Sequence, residues 1–255
     1  EPDGRVPLKF DGGIMIHGGA SRSFDQKSFR ILARGGYGTE RQEYRQFVER
    51  GYDSMKRIVL RNGGTDWGHA ILRDGFANRV VSNLDLESSN FRPAIVLLNG
   101  EYWGIQNLRE RQDKYYLEDR YDIDPHNIDL LELNSKVVEG DADHYEEMLQ
   151  FLRENPMSNS ANYAQLQTMM DTGNFALYYA SEIFFANPDW PQYNIKYWRP
   201  RTVDGRWRWI FFDLDNGLGR SAGYGRNTLQ KVVTGGGWDT FLLRSLLDNA
   251  EFKQD

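Results

Sequence analysis

Asp213 and Asp215 stand two residues apart in WRWIFFDLDNG, a run whose apolar half reads as a buried strand. Two carboxylates so placed repel each other and lose hydration unless a cation compensates them. Magnesium is bound in this way, through one or two carboxylates with phosphate oxygens completing its shell. For Asp215 a solvated turn is an equally good account, because D-N-G is ordinary turn chemistry. For Asp213, at the mouth of an aromatic strand, the metal account is the better one. A calcium EF-hand does not fit, since a glycine falls one position early and Tyr224 stands where the bidentate glutamate belongs.

Nineteen residues before Asp213 lies Asn194, and Asp189 precedes Asn194 with four residues between them, in NPDWPQYN. Protein kinases use that spacing for an Asp that accepts the substrate hydroxyl proton and an Asn that holds a metal ion. Here D-L-D-N-G follows one hairpin later, where D-F-G would be expected. Taken alone, D-x-x-x-x-N occurs by chance, and Asp189 has a competing role in capping a turn before Pro191. Phosphoryl transfer also needs a cation. Lys27 opens a strand in HGGASRSFDQKSFRI, after Gly18, Gly19 and Ser21, whose amides are placed to meet phosphate oxygens. In isolation a strand lysine is a solvated side chain. The loop lacks both G-x-G-x-x-G and the Walker pattern, which argues against a P-loop NTPase.

Other chemistries have less support. His17, His69, His126 and His144 are scattered, with no H-x-x-x-H pair for zinc. His17 adjoins the glycine loop and is placed to touch a ligand, but a strand-end polar residue is the better account of it. No G-x-S-x-G is present. A glycosidase-type carboxylate pair stays open, because any two of the 37 acids can converge.

These residues have to be positioned by the elements around them. GGIMIHGG and KSFRILAR alternate as half-buried strands, and SMKRIVLRNGG is a strand broken by glycines. RQEYRQFVERGY reads as a short amphipathic helix and HAILRDGFANRVVSNLDL as a longer one. RPAIVLLNGEYWGIQNLRER is two strands around Asn99-Gly100, a type I′ hairpin signal. From Asp113 the spacing is helical, in DKYYLEDRYD, ADHYEEMLQFLREN and NYAQLQTMMDTGNFALYYASEIFFA, with NPMSNSAN a loop. NIKYWRPRTVDGRWRWIFFD is a hairpin turning at Asp204-Gly205, followed by the glycine-rich NGLGRSAGYGRN and a terminal helix. The expected fold class is α+β: a β-rich lobe over residues 1–112 and a helical lobe over 113–255.

The composition permits one large domain or two lobes in 255 residues, with a sizeable core from 14% aromatics and 7 Trp. A net charge of -6 without a basic stripe argues against nucleic acid and anionic membrane as partners. With no cysteine, disulfides and cysteine-liganded zinc are ruled out. No apolar run is long enough to span a bilayer. EPDGRVPLKF starts strand-like and TFLLRSLLDNAEFKQD stops in a helical pattern, so the expectation is a fragment of a longer chain.

IMIHGGASRSFDQKSFRIL, IVLRNGGTDW, AILRDGFANRV, IVLLNGEYWGIQNLRER, NPDWPQYNIKYWRP and WRWIFFDLDNGLG occur in one order. In that order the chain resembles the spore coat protein H (CotH) family of atypical kinase-like proteins, from residue 10 to its C-terminus. The resemblance implies a two-lobed protein-kinase-like fold and ATP-dependent phosphorylation of protein Ser/Thr, with Mg²⁺ or else Mn²⁺ or Ca²⁺. It also implies an exported bacterial protein, extracellular or at the cell surface or envelope, similar to spore-coat proteins. By that resemblance Lys27 is the phosphate-pairing lysine, Asp189 the catalytic-loop acid, and Asn194 and Asp213 metal ligands. Asp215 belongs to the family's D-x-D and touches a second ion, and Arg22 in GASRSF reaches phosphate. Asp74 in ILRDGF is preferred over Glu110 as the acid that orients Lys27. The chain departs from kinases in having NP before its catalytic Asp in place of H-R, and from the family in having Gln26 where a second basic residue is usual. Two alternatives stand beside the kinase reading: transfer of AMP on the same fold, and a non-catalytic surface adhesin or binding module.

Overall fold

Asn99 and Gly100 both take positive φ, 53° and 87°, as a two-residue type I′ turn requires. The turn joins Phe91–Leu98 to Glu101–Glu110, the longest strands among the described residues. The structure, a computed structural model, describes residues 8–44, 46–47, 53–223 and 225–254. It is α+β, with several antiparallel sheets and, among the described residues, seven α-helices. The chain divides into two compact units, Glu1–Arg79 with Ser89–Pro125, and Val80–Ser88 with His126–Asp255.

In the first unit, β1 (Gly13–His17), β2 (Ser28–Leu32), β3 (Gln42–Glu43), β4 (Ser54–Met55) and β5 (Arg57–Arg61) precede α1 (Arg73–Val80). Then come β6 (Phe91–Leu98), β7 (Glu101–Glu110) and α2 (Lys114–Tyr121). Five strands form one antiparallel sheet in the order β1-β2-β5-β7-β6, while β3 and β4 pair separately. Successive strand residues point to opposite faces. One face is apolar: Ile31 pairs with Ile58 and Leu60 with Leu108, and Ile58 and Leu108 pack with Phe47 and Met55. The other face carries Arg30, Arg57, Arg61 and Arg109, spaced by the alternation of R-I-V-L-R in β5 and its neighbours.

The second unit contains β8 (Ile128–Glu132), β9 (Lys136–Glu139), α3 (Asp143–Glu154), α4 (Ser160–Leu166) and α5 (Thr172–Phe184). β10 (Lys196–Pro200), β11 (Arg208–Trp209), α6 (Thr228–Thr234) and α7 (Trp238–Leu246) complete it. Its sheet has four strands in the order β11-β10-β8-β9. Its core is aromatic, with Trp190, Trp207, Trp209, Tyr178, Phe175 and Phe211 fully buried. Tyr145 stacks on Tyr197 at 4.4 Å, and Phe175 meets Trp209 edge-on at 4.7 Å.

Several expectations are corrected. Where a helix was read over 41–52, Gln42–Glu43 is a strand paired with Ser54–Met55; residues 45 and 48–52 lie outside the described residues. Tertiary pairing outweighs the weak helical periodicity there. The helix read over 69–86 is confined to Arg73–Val80, because Ile71 takes φ 65° before it and polar turns follow. The long helix read through 162–186 is two, split where Asp171 caps α5 by accepting from the Asn174 amide at 3.0 Å. The terminal helix is also two, separated by Gly235–Gly237. The half read as helical contains a four-stranded sheet, and β8 and β9 had no sequence assignment. Of the two compact units, the first includes α2 and the second includes Val80–Ser88. Of the strand-like start, residues 1–7 lie outside the described residues, as does Tyr224.

Candidate active site

In the second unit, α5 ends at Phe184 and Ala186 takes φ 50°, turning the chain into the loop that carries Asp189. Asn187, fully buried, organises this loop. Its Oδ1 accepts from the Asp189 amide at 3.4 Å, and its Nδ2 donates to Glu182 Oε2 at 3.0 Å and to the Asp213 carbonyl at 3.5 Å. Asn194 Nδ2 also donates to the Asp213 carbonyl, at 3.4 Å. From the D-L-D-N segment, Asn216 Nδ2 donates to Asp189 Oδ2 at 2.5 Å, and Asn216 Oδ1 accepts from Ser221 Oγ at 2.5 Å. The segments 187–194 and 213–216, separate in sequence, are thus joined by three side-chain amide bonds. Asp189 keeps Oδ1 without a bond among the described residues.

Asn194 and Asp213 both hold left-handed backbone, with φ 54° and 64°. Asn and Asp tolerate that region better than other non-glycine residues, and such conformations gather at functional sites. Asp213 is half-buried, whereas Asp215 is buried within the turn. Lys231 on α6 supports the loop from outside. Its Nζ donates to the carbonyls of Pro188 at 3.3 Å and Trp190 at 2.6 Å, and to Gln192 Oε1 at 2.8 Å. Burial, and then the charge of Arg226, lowers the pKa of this lysine.

In the first unit, Gly18 takes φ 117° and a 3₁₀ turn, Ala20–Ser23, follows Gly19. A Cβ on Gly18 would stand 2.2 Å from Ser21 Oγ, while one on Gly19 would meet nothing within 4 Å, leaving that backbone open to a ligand. Arg22 is exposed on the turn. Lys27 Nζ donates to the carbonyls of Arg22 at 2.8 Å and Phe24 at 2.5 Å, and so closes the loop on itself. Gln26 joins this loop to its neighbours. It donates to the Trp103 carbonyl at 3.0 Å and accepts from Trp67 Nε1 at 2.9 Å. A charged side chain there would need different partners, which accounts for a neutral amide at this position.

Asp74, buried on α1, bonds Arg109 Nη1 at 2.5 Å and Arg61 Nη1 at 3.3 Å. Glu110 Oε2 accepts from the Asn90 amide at 2.6 Å. The cation that meets the helix acid from the middle strand β5 is therefore Arg61, at the end of I-V-L-R. Sequence reasoning passed over Arg61, as it did Asn187, Asn216 and Lys231. For Arg61 the V-A-I-K-like tetrad before a helix was a usable signal. Of the histidines, half-buried His144 accepts from the Nε1 of the buried Trp207.

The model of the CotH kinase protein family matches residues 14–255. The chain belongs to the CotH kinase family. A comparison with curated proteins finds no match. Membership implies a kinase-like enzyme, and no helix among the described residues is long and apolar enough to cross a membrane. A CotH kinase needs ATP and a divalent ion, and the donor set has to fit them. Among the described residues no group of three or more His, Asp or Glu is gathered to hold a metal. The oxygen donors near the loop are the Asp213 carboxylate and the Asn194 amide, with Asp215 in the same turn. So sparse a set fits an ion such as magnesium, which keeps several waters and shares phosphate oxygens.

Proposed function

We propose that this CotH kinase transfers the γ-phosphoryl group of ATP to serine or threonine hydroxyls of a protein. The supporting observation is the bonding of the Asp189 loop to the D-L-D-N segment: Asn194 and Asn187 on the Asp213 carbonyl, Asn216 on the Asp189 carboxylate. A proton acceptor and two hard oxygen donors are thereby fixed within one small region. Asp189, pinned through Oδ2, takes the acceptor hydroxyl proton at Oδ1. The hydroxyl oxygen then forms its bond to the γ-phosphorus as the bond to the β–γ bridging oxygen breaks and ADP leaves. Asp213 and Asn194 would hold magnesium, with Asp215 beside them, and the ion supplies charge neutralisation on the triphosphate. By the family's pattern Lys27 and Arg22 of the first unit would meet phosphate, and Arg61 is a further cation of that unit. Arg61 is oriented by Asp74, whereas Lys27 would have to exchange its two carbonyls for phosphate oxygens.

The test is transfer of label from γ-³²P-ATP to a generic protein acceptor with Mg²⁺ or Mn²⁺. We expect Asp213→Ala to lower turnover by roughly a thousandfold or more, the size of effect seen when transition-state charge stabilisation is removed. Wild type no faster than Asp213→Ala would end the proposal. Label carried over from α-³²P-ATP would convert it to AMP transfer.

A further inference from the structure

Arg30, Arg57 and Arg111 form a second polar centre, at the end of the five-stranded sheet away from Lys27. Arg30 lies opposite Val59, and Arg57 lies opposite Leu32, so the two arginines are diagonal neighbours on one face. Arg111 follows β7, whose Glu110 pairs with Ile58, and so comes level with Arg57. The carboxylate that answers them is Asp113. Its Oδ1 is occupied by the Tyr115 amide, capping α2 at 3.0 Å. Its Oδ2 accepts from both Arg57 Nη1 at 2.7 Å and Arg111 Nε at 2.6 Å. One oxygen therefore serves two guanidiniums, and Arg30 has no share in it. Arg30 Nε and Arg111 Nη1 are buried and, among the described residues, have no hydrogen-bond partner. Burial first, and then the charges of Arg111 and Arg57, lowers the pKa of Arg30, with the Asp113 charge offsetting this only in part. Beside the cluster, Arg57 and Lys56 lie over the Tyr115 ring at 4.4 and 4.6 Å, adding positive charge.

Buried donors without acceptors, and like charges without sufficient counter-charge, are both costly. An oxyanion would cancel both at once. Guanidinium forks match the oxygens of phosphate bidentately, which ammonium groups cannot do. We infer that Arg30, Arg57 and Arg111 form a binding site for a phosphate-class oxyanion, supplied either as a nucleotide's phosphate or as free phosphate. The site does not rest on the phosphotransfer proposal, since an anion would bind there whether or not the chain is catalytically active.

The probe is inorganic phosphate, titrated against the intact chain at constant ionic strength with chloride as the balancing salt, because unspecific screening must be held fixed. Calorimetry should give saturable binding to wild type. The double variant Arg30→Gln/Arg111→Gln should bind at least tenfold more weakly, yet melt no lower than wild type without phosphate, because repulsion has been relieved. Arg111→Lys keeps the charge but loses the fork, and should bind several-fold more weakly. It serves as a second variant should the double one fail to fold. ATP displacing phosphate would identify the nucleotide as the source, and phosphate bound undisturbed by ATP would identify the free ion. No saturable binding of either to wild type, or equal affinity in a folded variant, would overturn the inference. Because these readouts need no catalysis, loss of activity in Asp213→Ala leaves them unchanged.

Discussion

Trp207 donates its indole hydrogen to His144 Nδ1 at 3.0 Å, and that bond exists only while the nitrogen is unprotonated. Burial, and then the nearby Arg199 charge, lowers the imidazole pKa below its ordinary 6.5. Below pH 6.5 the unfolded chain therefore binds the proton more readily than the folded one, so stability rises with pH through this window and is lost on acidification. Between pH 7 and 5 the melting temperature should fall in wild type and fall less in His144→Gln, followed by tryptophan fluorescence. Identical slopes would show that the bond carries no such linkage. The same attention to single polar atoms explains what sequence reading found in the active loop. Asp189, Asn194 and Asp213 announce themselves by type and spacing. Asn187, Asn216 and Lys231 act by holding other groups, and an amide or lysine that bonds main-chain carbonyls has no sequence pattern of its own.

Among the elements, α6 has the clearest functional consequence, because Lys231 ties it to three acceptors in the Asp189 loop. Lys231→Met keeps the aliphatic stem and removes the ammonium, leaving the Pro188 and Trp190 carbonyls without that donor. Turnover should drop by roughly tenfold or more, as small misplacements of a reacting group can cost, while the KM for ATP and the circular dichroism spectrum stay unchanged. A raised KM with unaltered kcat would instead place Lys231 in substrate binding. How well elements could be read follows the same physics. The Asn99-Gly100 hairpin was legible because the turn's positive φ values demand those residues. β8 was not, because Ile128, Asp129, Leu130 and Leu131 are all buried and so show no alternation. Asp129, which interrupts that run, is matched by Arg199, its register partner on β10, and by Arg201 just beyond that strand, a pairing invisible in the local sequence.

For the molecule as a whole, the decisive departure from a simple two-part chain is Val80–Ser88, which belongs to the second unit although the first unit resumes at Ser89. Glu87 is what fixes it there. Fully buried, its Oε1 accepts from Arg208 Nε at 2.6 Å and Trp198 Nε1 at 3.2 Å, and its Oε2 accepts from Asn174 Nδ2 at 3.0 Å. Its carbonyl accepts from the Phe211 amide at 2.8 Å, two residues before Asp213. Arg208 also bonds Asp171 and Asp85, so the guanidinium would keep counter-charge without Glu87. The indole and amide donors, however, would lose a buried acceptor. Removing one member of a buried ion pair costs about 3–5 kcal/mol, and the remaining acids should hold Glu87→Ala to the lower end of that range. Urea unfolding should show this as a lower midpoint at unchanged slope, with Glu87→Gln falling between because it retains an acceptor oxygen. Phosphoryl transfer should weaken in the same order, since the strand that delivers Asp213 hangs on this residue. A loss under about 1 kcal/mol, within reach of an ordinary surface change, would mean that Asp85 and Asp171 suffice to hold Arg208 and that Val80–Ser88 is retained by its apolar side chains alone.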